Sequence, residues 1–199
     1  MTKKYELCED HTISLADGTK LYQVRALKDF DKVFKGDLGG YIESEENLSQ
    51  AGHAWVYDKA RVYGHAQISG NAQVYDKAWV YGRATVSENA WVCGNARVYG
   101  NARVYEDKKV SENAWVSGNA QVSDAAKVSG DAWVYGNARV SEDAEVSGNA
   151  RLYDTARVYD TAQVYNTAKV SGNAWVYGRA EVYGNAEVYG NAEVYGDAK

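Results

Sequence analysis

Residues 178–199 read GRAEVYGNAEVYGNAEVYGDAK, a six-residue word repeated almost without variation. The same word runs back to Ala54 as Ala-x-Val-(Tyr/Ser)-(Gly/Asp/Glu)-(Asn/Asp/Thr/Lys). Between Ala54 and Ala198 only Lys108 breaks the Ala slot, the Val slot varies only to Ile68 and Leu152, and nothing is inserted or deleted. A helix cannot use a period of six, because 3.6 residues per turn carry each row around the cylinder. A strand can: Ala and Val lie two apart and face one side, while x and Tyr/Ser face the other. The remaining pair, often Gly-Asn, suits a sharp corner, since both residues accept positive φ. Three such edges close a triangle. The sequence therefore predicts an all-β fold, a left-handed parallel β-helix of about eight triangular coils with Val and Ala stacked inside. At a strand spacing of about 4.8 Å the prism would be roughly 38 Å long.

The composition is that of a repeat: no Pro, two Phe and one Met, with 19 Gly and 17 Tyr in 199 residues. A formal charge of -5 argues against general nucleic-acid affinity, which needs a basic surface. No apolar run reaches the length of a membrane span, and MTKKYELCED lacks the apolar stretch of a signal peptide. Cys8 and Cys93 match no metal or redox spacing. The expectation is a cytoplasmic protein with reduced thiols, no bound metal, no cofactor and no membrane contact.

Residues 1–50 lack the period. TISLADGTKLYQV, residues 12–24, offers two alternating runs around Asp17-Gly18, a hairpin signal. KDFDKVFKGDLGGYIESEENLSQAG follows, with both Phe of the chain. A solenoid needs a non-repetitive cover for the end of its core, so the chain divides into a cap, 1–50, and a β-helix, 51–199. The stretch LYQVRALKDFDKVFKGDLGGYIESEENLSQAGHAWVYDKARVYGHA resembles the N-terminal signature of YdcK-like hexapeptide-repeat proteins. It is most similar to short phage and prophage versions, in which GDLGGYIESEENLS leads into GNAxVY repeats. That resemblance implies the β-helix fold and a host or phage protein as partner, with countering a host defence as the task. Its transferase label rests on fold alone and implies no chemistry.

Hexapeptide-repeat acyltransferases are trimers that use a His base, which makes His53 and His65, both in corner slots, the candidate bases here. Twelve residues apart, they fall on different corners of one coil and are too far apart to share a metal. His11 lies in the cap.

Residues 18 apart share a face, so the x slots sort into three ladders. The first runs Trp55, Gln73, Trp91, Lys109, Lys127, Glu145, Gln163, Glu181; the third runs from Gln67 to Glu193. The second reads Arg61, Trp79, Arg97, Trp115, Trp133, Arg151, Lys169, Glu187, with Tyr81, Tyr99 and Tyr135 in the neighbouring outward slots. All six Trp occupy x slots and are expected to point outward. Interleaved rings and guanidinium groups suit a protein interface, whether with a partner or a second copy, or stacking and charge pairing on a nucleotide. They also suit plain stacking along a strand ladder.

Two local features complete the expectation. Lys108 replaces an inward Ala, and a local bulge, a snorkelling stem or pairing with Glu106 or Asp107 would accommodate it. Glu181, Glu187 and Glu193 fall on three different faces of the last turn, where charge would blunt exposed strand edges.

Overall fold

The computed structural model describes residues 3–199. β1 (Tyr5–Ser14) and β2 (Lys20–Ala26) form an antiparallel hairpin, turned at Gly18 with φ 89°. β2 pairs antiparallel with β3 (Leu38–Ile42), and β3 then pairs parallel with the array, Tyr41 opposite Arg61. From Trp55 to Val194 a two-residue strand recurs every six residues, sorted into three parallel sheets. The sheets of the first and third faces hold eight strands each; the second face, extended by the three N-terminal strands, holds eleven. Leu48 bridges Ile68 beneath the third face, so β3 and Leu48 lay down part of a ninth coil. The fold is a parallel β-helix.

Hydrogen bonds join each coil to the next. Trp115 donates its amide to Ala132 O at 2.9 Å and Ser117 to Val134 O at 2.9 Å, and the same pair repeats up the prism. The interior rows are sealed, with every Val-slot and Ala-slot side chain from Ala54 to Ala180 no more than 1% exposed. Branched Val packs on the Val above it, as a half-buried pleated surface favours.

Corners carry the conformational cost. Every corner residue from Asp58 to Gly196 has φ between 52° and 73°. Glycine adopts this region freely, Asn and Asp enter it at a modest cost, and Glu bears the most strain there. The acidic residues offset that strain by accepting the corner amide of the next coil: Asp76 from Gly94 N at 2.9 Å, Glu112 from Gly130 N at 2.7 Å, Asp160 from Gly178 N at 2.7 Å. One slot later, Asn side chains form amide ladders, Asn101 to Asn119 and Asn119 to Asn137, each at 3.0 Å.

The N-terminal segment seats on the first coil through close approaches. Buried Asn47 donates to Gly64 O and Ala66 O, both at 2.9 Å, and accepts from Ser44 N at 2.9 Å, so its burial leaves nothing unpaired. Gly39 and Gly40 lie directly over the core; a Cβ at Gly40 would meet Ala60 O and a Val56 methyl at 2.7 Å. Lys4 reaches Ala54 O at 2.9 Å, and burial with the nearby Lys28 lowers its pKa to about 8.

Two expectations are corrected. Trp55 does not face solvent: it is 1% exposed, with Phe30 and Tyr5 packed edge-on at 5.3 and 6.1 Å, because the N-terminal segment folds over that part of the first face. Nor does Lys108 cause a bulge. Lys109 stays in register with Trp91 and Lys127, and Val110 with Val92 and Val128. Lys108 keeps the inward slot at 1% exposure, its Nζ 3.8 Å from the Glu106 carboxylate and without a hydrogen bond. Burial lowers its pKa; Glu106, Asp124, Asp107 and Glu88 oppose that shift.

Lys108 does pair with Glu106, as one expectation had it, but at 3.8 Å and without a hydrogen bond, and a buried ammonium so weakly satisfied costs stability that an Ala would not. Lys108→Ala restores the repeat and is expected to stabilise by about 1–3 kcal/mol near pH 7, read from the denaturant midpoint. The unfolded chain holds that proton to its ordinary value of 10.5, while the folded chain releases it earlier. The unfolded state thus binds more protons, wild-type stability rises as pH climbs from the lowered folded value to the ordinary one, and the advantage of the variant must shrink over that interval. An advantage that stays constant with pH contradicts this origin. Gly40→Ala is expected to lose about 1–3 kcal/mol through overpacking. An unchanged midpoint would show that β3 is not seated on the coil.

Candidate binding face

On the second face, backbone bonds set the register and the outward side chains stack on it. Register places Tyr41, Arg61, Trp79, Arg97, Trp115, Trp133, Arg151, Lys169 and Glu187 on successive strands. Arg61 and Arg97 lie over opposite sides of Trp79, with the guanidinium carbon 4.9 and 5.3 Å from the ring centre. Arg97 also covers Trp115 at 4.9 Å, Trp115 stacks on Trp133 at 4.8 Å, and Arg151 covers Trp133 at 5.3 Å. Alongside, Tyr63, Tyr81 and Tyr99 stack at 5.0 and 4.9 Å, and Tyr135 stacks on Tyr153 at 5.2 Å. Trp79 and Trp115 meet Tyr63 and Tyr99 edge-on at 6.2 and 6.3 Å.

Trp79, Trp115 and Trp133 are therefore each held by the coils above and below. Trp133 and Arg151 are exposed, while Arg61, Trp79, Arg97 and Trp115 are half-buried by these neighbours. Burial and the adjacent Tyr81 push the Tyr63 hydroxyl up to about 12 despite Arg97 and Arg61, so it stays neutral at physiological pH. Burial and the next ring likewise raise Tyr81 and Tyr135.

Beside Trp79 the corner and the face enclose a groove of about 300 Å³, lined by Lys59, Arg61, Lys77, Trp79, Asn95 and Arg97. Among the described residues, none of its four cations has a carboxylate partner. Asp58 and Asp76 occupy the same edge, but each turns its carboxylate to a backbone amide, of Asp76 and Gly94 respectively. A larger groove of about 480 Å³ lies farther along the edge around Arg151, Lys169 and Glu187. There Lys169 is paired with Glu187 at 2.7 Å, which neutralises part of its charge. The smaller groove, with free cations around an aromatic ring, is the one suited to an anion.

The repeat is similar to that of a known family. The family described as YdcK Beta solenoid repeat matches residues 66–82, 78–94 and 96–108. The chain is 40% identical over 74 residues to a protein of Escherichia coli (strain K12) named "Uncharacterized acetyltransferase YdcK". That match takes in 34% of this chain and 23% of the relative, so most of the relative lies outside it. The likeness supports a YdcK-type β-solenoid repeat. What YdcK acts on does not carry over with it.

The other candidates are placed as follows. His53 and His65 are exposed on different edges, and neither imidazole makes a hydrogen bond. His53 lies in a shallow groove with Asp31, Asn71, Gln73, Asn89 and Trp91. Glu181, Glu187 and Glu193 are engaged with residues beneath them: Glu181 with the Tyr165 hydroxyl at 2.9 Å, Glu187 with Lys169, and Glu193 with the Tyr177 hydroxyl at 3.0 Å. Hydrogen bonding from Tyr165 and Lys199 lowers the Glu181 carboxyl. Lys59 and Lys77 are the site residues that the x-slot ladders miss. They sit two positions before Arg61 and Trp79, and sorting the corner slots by the same interval of 18 residues would have found them.

Proposed function

We propose that this protein is a non-enzymatic binding protein of phage type. Its second face would hold an acidic protein surface of the host or of a phage, in the cytoplasm, with countering a host defence as the setting. The observation that carries this reading is the groove of unpaired Lys59, Arg61, Lys77 and Arg97 around Trp79, in a chain of net charge -5. Trp and Arg dominate the energetics of protein interfaces, and free cations add attraction and orientation. The stacked column is already ordered, so binding forfeits little side-chain entropy there.

The test is capture from host lysate followed by affinity measurement on the purified partner. Charge reversal at Arg61 and Arg97, or Trp115→Ala with Trp133→Ala, is expected to weaken binding by about 30-fold or more, the scale of an interface hot spot. Wild-type affinity must also fall as salt rises. A partner held equally well by the charge-reversed chain sinks the proposal. A nucleotide retained instead, and released by Trp79→Ala, would replace the protein partner with a nucleotide signal.

A second reading, acetyl transfer by a trimer with His53 or His65 as base, is favoured only by the partial likeness to a protein named an acetyltransferase. A general base contributes about 10²–10⁴-fold, so loss of both imidazoles must abolish most acetyl-CoA turnover if this reading holds. We expect no turnover above background in the wild type, and a strictly monomeric size would remove the trimer.

A further inference from the structure

Pairing within the N-terminal hairpin breaks once. Cys8 pairs with Gln23 and Thr12 with Tyr22, so Glu9, Asp10 and His11 on β1 have no partner on β2. β1 is also the edge strand of the eleven-stranded sheet. Bulges on edge strands re-aim side chains that strict alternation would send to opposite faces. This one brings Cys8 Sγ, an Asp10 carboxylate oxygen and a His11 ring nitrogen within 4.8 Å of one another. Cys8 is 4% exposed yet lies outside the main apolar cluster, while Asp10 and His11 are exposed.

We propose that Cys8, Asp10 and His11 form a binding site for Zn²⁺, with three protein ligands and a fourth position open to water or another donor. A thiolate, an imidazole and a carboxylate together suit this borderline-soft ion, whereas Ca²⁺ and Mg²⁺ call for oxygen donors throughout. Ligand atoms at zinc distances stand about 3.6 Å apart in a tetrahedron, so the cluster needs about 1 Å of closure. The bulged residues are free of the ladder and can supply it. Burial raises the Cys8 pKa, Arg25 opposes this, and Asp10 and Glu6 add to it.

The experiment is a Co²⁺ titration of the untagged full chain under reducing conditions, followed by Zn²⁺ displacement. The proposal expects a sulfur-to-cobalt band in the near ultraviolet that saturates at one equivalent and disappears when Zn²⁺ is added. Cys8→Ser must remove the band, and Asp10→Ala and His11→Ala must each weaken binding about 10-fold or more. Cys93→Ser must leave it unchanged. Because Asp10 and His11 are exposed, their variants are expected to fold as the wild type does. A band that never saturates, that survives Cys8→Ser, or that ignores both exposed ligands overturns the site.

Discussion

Everything in this molecule follows from the requirement that each residue lie above the residue 18 positions earlier. The inter-coil amide bonds impose it: Arg97 N reaches Ala114 O, Trp115 N reaches Ala132 O and Trp133 N reaches Ala150 O, each at 2.9 Å. An added residue can keep that register only by looping out at a corner. The register places Val on Val and Asn on Asn, and it forces each corner into the same positive φ. Even Lys108, whose ammonium makes no hydrogen bond, is held inward rather than allowed to break the array. The continuing ladder thus outweighs one badly placed charge.

The same register makes the surface. A side chain in an x slot cannot choose its neighbours; it receives those 18 residues before and after. Arg61, Trp79, Arg97 and Trp115 consequently interleave as a single column whose members fix one another's orientation. Such a column is rigid for the reason the core is rigid, and a rigid aromatic surface loses little entropy on contact. Stacking along the ladder and the rigidity of the surface are two consequences of one arrangement.

Legibility in the sequence followed the period. The hexad dictated strands, corners and faces, and the outward column could be written from spacing alone, Arg61 through Glu187. Features without a period were harder. The hairpin that buries Trp55 depends on contacts from Tyr5 and Phe30, and no spacing connects those residues to the prism. Lys59 and Lys77 belong to a corner column, where polar residues ordinarily need no explanation. Cys8, Asp10 and His11 approach one another only because strand pairing lapses for three residues, and a bulge of that kind has no signature in the letters.

Charge is distributed as unevenly as the rings. The edge between the third and first faces carries Glu88, Glu106, Asp124, Glu142 and Asp160 on successive coils, all at positive φ. Neighbouring carboxylates there interact: hydrogen bonding with Asp160 raises the Glu142 carboxyl, while the Glu142 amide lowers Asp124. In a triangular prism that edge is the vertex opposite the second face. The edge between the second and third faces carries glycine in the equivalent slots from Gly64 to Gly136, leaving the cations of the second face uncompensated on that side. A modest net charge therefore conceals an uneven distribution, with carboxylates along one vertex and basic x slots on the second face, Arg61, Arg97, Arg151 and Lys169, and on the third, Arg103, Arg139 and Arg157. Fields of this kind favour anions on the sides away from the acidic vertex. The hexad that builds the core thereby also sets where charge can accumulate on the surface.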